Sequence, residues 1–378
     1  EFRYGVEVGR DVTLDELRAQ GFKAFYVAIG CQGGRLAGIP GEDAEDVTVA
    51  VDFLREVNSG KIDTLSGRTI VVGGGNVAID VARNACRLGS EHVEMFCLES
   101  EAQMPASEEE RREAIEDGAH ISCGWGPKEV HLDETGRVCG ITFKRCTRVF
   151  DDKGRFAPEY DENDLRRVDA DRVVMSIGQS IVWGDLLAGS KVELGRGQGV
   201  LADPQTYQTA EPDIFVGGDV YTGPSFAIDA IAAGHEAAVS IHRFVQPGST
   251  LTIGRNQRRY TALDRDDVVL EGYDNASREV AHVDREREKA APFSEYVETF
   301  TEEQVRAETA RCLGCGASIV DPNKCIGCGL CTTKCAFDAI HLDRDRPECS
   351  TMVKYEQKLP SLGKYALKRA IKIKFGKK

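Results

Sequence analysis

Thr69-Ile-Val-Val72, running into Gly73-Gly-Gly75-Asn76-Val77-Ala78-Ile-Asp-Val-Ala-Arg83, is the stretch that decides the fold of this 378-residue chain. The four residues before the glycines are apolar or β-branched and predict a buried strand. They end in G-x-G-x-x-A, and apolar residues then recur at helical spacing, predicting a helix over 76–88. Such a glycine string is weak alone. Here a second strand is expected from Val93 to Leu98, closed by the acid Glu99 about twenty residues on, which is the context that gives the string meaning. Gly73 permits the tight turn, Gly75 lets a pyrophosphate approach the backbone, and Ala78 lets the helix pack closely on the strand. Asn76 and Val77 open a helix whose amides and dipole suit phosphates. A glycine turn in an unliganded α/β domain is the plainer alternative. A carboxylate at Glu99 accepts hydrogen bonds from ribose hydroxyls and repels a 2′-phosphate, so NADH is favoured over NADPH. Arg83, Arg87, Arg111 and Arg112 lie near enough in sequence to fold back and keep NADPH open.

A second signal lies far downstream. Cys325-Ile-Gly-Cys328-Gly-Leu-Cys331-Thr-Thr-Lys-Cys335 is C-x2-C-x2-C-x3-C, the spacing that wraps thiolates around a cubane iron–sulfur cluster. Structural zinc usually splits its ligands into two distant pairs, and spacings this short make poor disulfides. Cys312, Cys315 and Cys349 lie nearby. In a two-cluster arrangement the fourth cysteine of a run serves the other cluster. Seven cysteines fall one short of two complete sites, so both one and two 4Fe-4S clusters stay open. Ala336 stands where such runs usually carry proline. Cys31, Cys86, Cys97, Cys123, Cys139 and Cys146 contain no C-x-x-C and read as buried or incidental thiols. The seven histidines form no cluster in sequence.

The formal net charge of −14 argues against nucleic acid as a general partner. No apolar run approaches the length of a membrane span, and the first residues lack a signal-peptide pattern. Thirteen cysteines in a cluster-bearing chain point to a reducing, cytoplasmic setting. The charge is uneven: residues 354–378 carry nine Lys/Arg and the single acid Glu356. Lys364, Lys368, Arg369, Lys372 and Lys374 interleave with Leu367, Ile371, Ile373 and Phe375 too irregularly for a clean amphipathic helix, and docking on an acidic partner subunit is expected for this tail.

Along the chain, residues 22–30 read as a buried strand ending in a glycine turn, and 44–58 as a helix. Residues 108–117 are expected helical and 127–148 as short antiparallel strands. Val173 to Ile177 and Ile214 to Val216 read as further buried strands, closed by Gly178 and by Gly217-Gly218, with a helix over 225–244. From 247 to 300 the chain is polar and charge-rich and reads as an extended connector, with a last helix near 301–311.

Taken together, residues 1–350 resemble the glutamate synthase small-subunit-like flavin oxidoreductases. The stretches that carry the likeness are AFYVAIG (24–30), TIVVGGGNVAIDVARNACRLG (69–89), MPAS (104–107), ADRVVMSIGQ (170–179), DIFVGGDVYTGPSFAIDAIAAGHEAA (213–238) and AETARCLGCG (307–316). The resemblance implies an α/β chain with two dinucleotide-binding, Rossmann-like domains and a small ferredoxin-like α+β domain. FAD would be held by residues 1–60 and 171–246, NAD(P)H by 61–170, and a 4Fe-4S domain would span 306–350. Between them lies a connector at 247–305, and the basic tail follows at 351–378. The FAD part is expected to be incomplete at its N-terminus, because the family's first strand–glycine–helix unit has no counterpart here. The resemblance also implies that Gly218 and Asp219 hold the ribityl and pyrophosphate region of FAD, and that Gly30 and Gly178 lie beside the flavin and the interdomain hinge. Members that use NADPH carry paired arginines where this chain has Leu98-Glu99. The expected function is an NADH-handling flavoprotein subunit of a cytosolic, anaerobic electron-transfer complex, passing electrons to partner subunits, a ferredoxin or another carrier. An NADPH-dependent glutamate synthase small subunit and a non-catalytic iron–sulfur wiring subunit are the alternatives. No catalytic side chain is expected, because both cofactors carry the hydride chemistry.

Overall fold

A computed structural model describes residues 1–246, 248–255, 276–291, 293–312, 320–321, 324–335, 339–343 and 354–375. The chain divides into two compact units, Glu1–Val269 with Val283–Glu298, and Leu270–His282 with Thr299–Lys378. Cys315, Cys349 and much of the expected connector lie outside the described residues.

The first unit is built on a five-stranded, all-parallel sheet. Its spatial order is β3 (Val47–Val49), β10 (Arg172–Met175), β4 (Arg68–Val72), β5 (His92–Cys97) and β6 (His120–Cys123). β4 and β5 are joined by helix α3 (Asn76–Arg87), and β5 and β6 by α4 (Glu108–Glu116). The chain thus moves outward from β4 in one direction, then returns to place β10 on β4's other side. The carboxyl ends of β4 and β10 flank the switch point where such sheets bind ligands. Thr69 to Val72 and Val93 to Cys97 are buried on both faces, as parallel strands covered on two sides must be.

On one face lie α3, α4 and α2 (Ala50–Asn58), whose Ala78, Ile79, Val81, Ala82, Ala85, Ala114 and Phe53 join Val71, Met95 and Cys97 in one core. On the other, a three-stranded antiparallel meander packs Val130, Ile141 and Phe143 against Ile70, Val72, Phe96 and Met175. Its strands are β7 (Trp125–Leu132), β8 (Val138–Phe150) and β9 (Phe156–Val168). Phe96 and Phe143 stack with centroids 3.9 Å apart. Sheet, helical layer and meander together make three layers.

The rest of this unit is smaller. β1 (Phe25–Val27) pairs in parallel with β12 (Ile214–Val216), and Leu14 of α1 (Leu14–Ala19), Val27, Val200, Ile214, Val216 and Val220 form its core. Helices α5 (Asp219–Thr222) and α6 (Ala227–Phe244) follow β12. The two parts of the unit are joined where β2 (Gly33–Gly34) pairs antiparallel with β11 (Gln179–Ser180). β3 and β10 belong to the five-stranded sheet, so that sheet reaches past the boundaries expected at 60 and 171 on both sides. Helix α7 (Arg285–Ala290) and the bridge between Val283 and Val297 also belong to this unit. The Tyr296 hydroxyl accepts a 2.7 Å hydrogen bond from Arg87, and Arg285 pairs with Glu116 at 3.0 Å.

The second unit contains α8 (Glu302–Ala310), α9 (Leu330–Lys334) and α10 (Tyr355–Phe375). Thr301 and Gln304 cap α8 reciprocally. The tail, expected to be too irregular, is one exposed helix despite Pro360. Its Lys, Leu, Ala and Arg residues are strong helix formers, and a proline near the start removes a single backbone bond. Among the described residues, no helix is long and apolar enough to cross a membrane.

Candidate nucleotide and cluster sites

The glycine turn sits at the carboxyl end of β4, in the crevice beside β10. Gly73 has φ +142°, and a side chain there would overlap the Ser176 carbonyl oxygen. The Gly73 amide donates to the Phe96 carbonyl at 2.8 Å, which ties the turn to β5 as well. Gly75 is different: its φ is −90°, it caps α3, and nothing lies within 4 Å of where a Cβ would stand. Ala78, one turn on, is fully buried. The turn is therefore packed tightly underneath and open above, at the positive end of a twelve-residue helix.

Two further groups frame this opening. The Glu99 carboxylate lies beside the turn, with Oε2 3.1 Å from where a Gly74 Cβ would stand. Behind it, the Ala106 amide donates to the Gly74 carbonyl at 3.0 Å and the Ser107 amide to Asn76 Oδ1 at 3.2 Å. Ser107 also caps α4 by accepting from the Glu110 amide. Residues 104–107, one of the stretches that carry the family resemblance, thus reach the turn. The signal was present: serine before a run of acids is a helix start, and that start adjoins the turn.

The four arginines that kept NADPH open all have partners within the chain, three of them away from Glu99. Arg83 and Arg87 both pair with Asp117, at 2.8 and 3.0 Å, and Arg83 also with Glu113. Arg87 is further held by Tyr296, and Arg112 lies 3.9 Å from Glu116. Arg111 donates to the Glu101 carbonyl at 2.7 Å and is the one of the four that touches the loop following Glu99.

The non-cluster thiols are not all isolated. Cys97 and Cys123 face each other across β5 and β6, with Sγ atoms 3.7 Å apart. Burial, and then the neighbouring Cys123, push the Cys97 thiol pKa well up. Burial, then Asp117, pushes Cys86 up to about 11, and burial, then Asp219, raises Cys31. Thiols so raised are poor nucleophiles. His92 and His120 stack at 5.2 Å across the other end of the same strand pair, although their separation in sequence suggested no grouping.

In the smaller part of the unit, Gly30 and Asp219 come together: Asp219 Oδ2 is 4.0 Å from where a Gly30 Cβ would stand. Gly218 caps α5, and Asp219 Oδ1 accepts from the Ser225 amide at 3.3 Å. Gly178 leads into β11 against Arg35, and Gln179 donates to the Cys31 carbonyl at 3.5 Å. The two strand-ending glycines thus adjoin the same short ladder. Gly217 leaves the room that the Tyr26 hydroxyl occupies.

In the second unit, Cys325, Cys328 and Cys331 are exposed and Cys335 is half-buried. Gly327 and Gly329, between the cysteines, have φ +65° and +75°, so the backbone curls back on itself there. The Ala339 amide points at Cys335 Sγ at 3.3 Å. Among the described residues, no three Cys, His, Asp or Glu side chains converge as a metal site. The donor set nevertheless fits an iron–sulfur cluster: soft thiolates on a reversing backbone, with an amide directed at sulfur. Cys312 is exposed at the end of α8.

Comparison with known proteins adds two family matches. Residues 4–234 match the pyridine nucleotide-disulphide oxidoreductase family, and residues 318–341 match the 4Fe-4S binding domain. The chain is 33% identical to the NADP(+)-dependent formate dehydrogenase subunit beta of Moorella thermoacetica over 82% of its own length and 44% of that protein's. It is 32% identical to the glutamate synthase [NADPH] small chain of Escherichia coli (strain K12), over 65% of this chain and 55% of that one. The chain thus spans about half the length of the curated relatives it matches. Mycobacterium tuberculosis FprA in complex with NADPH shares the fold, with TM-score 0.52 and 20% identity over 63% of this chain and 67% of that one.

Proposed function

Because this chain belongs to the pyridine nucleotide-disulphide oxidoreductase family, we propose that it is the NADH-handling flavoprotein and iron–sulfur subunit of an electron-transfer complex. The observation that carries the reading is the Glu99 carboxylate beside Gly74 in a glycine turn that is open at Gly75, at the sheet's switch point. In this reading Gly73, Gly75, Asn76, Val77 and Ala78 receive the pyrophosphate of the nicotinamide cofactor and Glu99 its adenosine ribose. Gly30, Gly178, Gly218 and Asp219 flank FAD. Cys325, Cys328, Cys331 and Cys335, with Cys312, Cys315 and Cys349 in reserve, hold one or two 4Fe-4S clusters. Nicotinamide and flavin supply hydride chemistry, and iron–sulfur clusters the change to single electrons. The side chains orient: Gly75 leaves the helix amides bare, Asp219 accepts sugar hydroxyls, and the amide at Ala339 favours a charged sulfur. A cytosolic setting and partner subunits complete the proposal. Anaerobic purification should yield a protein whose flavin is bleached by NADH and which contains iron. A flavin indifferent to NADH, with no iron, would end the reading, and iron without flavin bands would favour a wiring subunit.

Both relatives compared above carry NADP(H) in their names, so the preference for NADH rests on this chain's own residues. Two like charges about 4 Å apart repel by about 1 kcal/mol in water and about 4 at an effective dielectric of 20. Glu99 is half-buried, so an intermediate penalty of about 1–2 kcal/mol against a 2′-phosphate is expected. Glu99→Arg should therefore move the ratio of NADH to NADPH dissociation constants toward NADPH by about tenfold or more. Direct titration of both nucleotides measures it. An unmoved ratio would remove Glu99 from the ribose.

The basic helix α10 is assigned to an acidic surface on a partner subunit. Each exposed ion pair contributes little and is screened by salt, so several must act with Leu359, Leu362, Ile371 and Phe375, all exposed. Deleting 354–378 should weaken complex assembly, most visibly at low ionic strength, and leave NADH binding intact. Assembly unchanged in sizing chromatography would leave the helix a solvated extension.

A further inference from the structure

Cys97 and Cys123 are the last residues of β5 and β6 and stand in register, so both side chains project to the same face of the sheet, toward α3. Register partners on neighbouring strands stand about 4.8 Å apart at Cα, inside the range a disulfide spans. Their sulfurs are already 3.7 Å apart, so a side-chain rotation brings them into bonding range without moving the strands. Cys97 is fully buried and Cys123 half-buried, so Cys123 is the more accessible residue of the pair. The pair also adjoins the glycine turn, on the same side of Gly74 as Glu99. Cys97 Sγ lies 3.5 Å from where a Gly74 Cβ would stand and 3.7 Å from the Glu99 carbonyl oxygen. No other role in the proposed chemistry uses these thiols.

We propose that Cys97 and Cys123 are a peroxide-oxidisable thiol pair that closes to a disulfide beside the glycine turn and weakens dinucleotide binding. The chemistry balances with hydrogen peroxide as oxidant. The Cys123 thiolate attacks one peroxide oxygen, the O–O bond breaks, and a sulfenic acid forms with loss of hydroxide, which takes the proton the thiol gave up. The Cys97 thiol, poor as a free nucleophile but held 3.7 Å away, then gives its proton to the departing hydroxyl and displaces water from that sulfur, forming the S–S bond. Two thiols lose two electrons and two protons, and one peroxide becomes two waters. Burial holds Cys97 protonated, so the first attack falls to Cys123. Closing the bond turns Cys97 Sγ away from the Glu99 carbonyl, so the turn that carries Glu99, two residues past β5, loses that contact. A dithiol reductant reverses it.

The effect on binding rests on the nucleotide reading above; the thiol chemistry does not. The full chain, reduced and freed of reductant without oxygen, is exposed to graded hydrogen peroxide, quenched with N-ethylmaleimide and digested for mass spectrometry. A cross-linked peptide joining Cys97 to Cys123 is expected, lost on dithiothreitol treatment and absent from Cys123→Ser, while Cys86 and Cys139 remain alkylated. Recovery of Cys97 and Cys123 as separate maleimide adducts, or as sulfinic acids, at doses that oxidise the exposed cysteines of 325–335 would overturn the pair. NADH titration of the same samples should show a severalfold rise in dissociation constant that reverses on reduction and is missing in Cys123→Ser. A disulfide with unchanged NADH affinity would overturn the coupling. Failure of the reduced protein to bind NADH at all would instead count against the nucleotide reading.

Discussion

Gly73→Ala is expected to cost about 2–6 kcal/mol of stability and to abolish dinucleotide binding, while Gly75→Ala leaves the fold intact and loses only the binding. At Gly73 two costs add. A side chain at φ +142° carries about 1–3 kcal/mol of backbone strain, and overlap with the Ser176 carbonyl adds a packing cost of about 1–3 kcal/mol. Backbone can yield only by parting β4 from β10, so the damage spreads into the sheet. At Gly75 neither cost arises, because φ is −90° and the space is open. Alanine as a helix cap costs about 1 kcal/mol or less against glycine, but its methyl group occupies the approach of the pyrophosphate. Thermal unfolding with nucleotide titration separates the two variants. Equal stability would show that the turn relaxes freely, and full nucleotide affinity in Gly75→Ala would move the phosphates elsewhere.

Cys331→Ala is expected to remove one cluster's iron and its visible absorbance, with Cys139→Ser unchanged in both. Four thiolates share the cluster's charge, and an alanine offers neither a bond to iron nor a counter-charge. Cys331 sits in α9, one turn before Cys335, whose amide donates to the Cys331 carbonyl at 3.1 Å. The local backbone survives the substitution, so the loss reads on the thiolate alone. Colorimetric iron and the spin signal of the reduced protein measure it. Unchanged iron would take Cys331 out of the ligand set, and loss of half would speak for two clusters.

The strand–glycine–helix segment was legible because its signals are local. The helix expected over 76–88 is found at Asn76–Arg87, and the second strand at His92–Cys97. Less local features were hidden. β9 was not expected, because Phe156–Val168 is a mostly exposed edge strand without apolar alternation. β3 was folded into the helix expected at 44–58, being three half-buried residues long. The apolar run from Val173 to Ile177 was plain, but which sheet it joins depends on a partner about a hundred residues earlier, Val173 standing opposite Ile70. The same blindness hid Cys97 and Cys123, since a search for C-x-x-C sees only neighbours in sequence and this pair is made by strand register. Glu99 was named from its spacing, whereas the hold of Asp117 on Arg83 and Arg87 needed a loop to return.

The short ladder between β2 and β11 has a consequence for how the chain assembles. Gly34 pairs with Gln179, so everything between them leaves and re-enters at one place. Cys31 and Asp219, which meet beside that place, are 188 residues apart in sequence. Bringing such ends together from an open coil costs about 2–3 kcal/mol more in closure entropy than closing a loop of about ten residues. If the intervening sheet and its meander form first, from contacts mostly local to them, their ends already meet, and β1 finds β12 across a short gap. The half built on the five-stranded sheet should therefore acquire hydrogen-exchange protection before the half built on β1 and β12 during refolding, and its early formation sets the rate at which the second half can close.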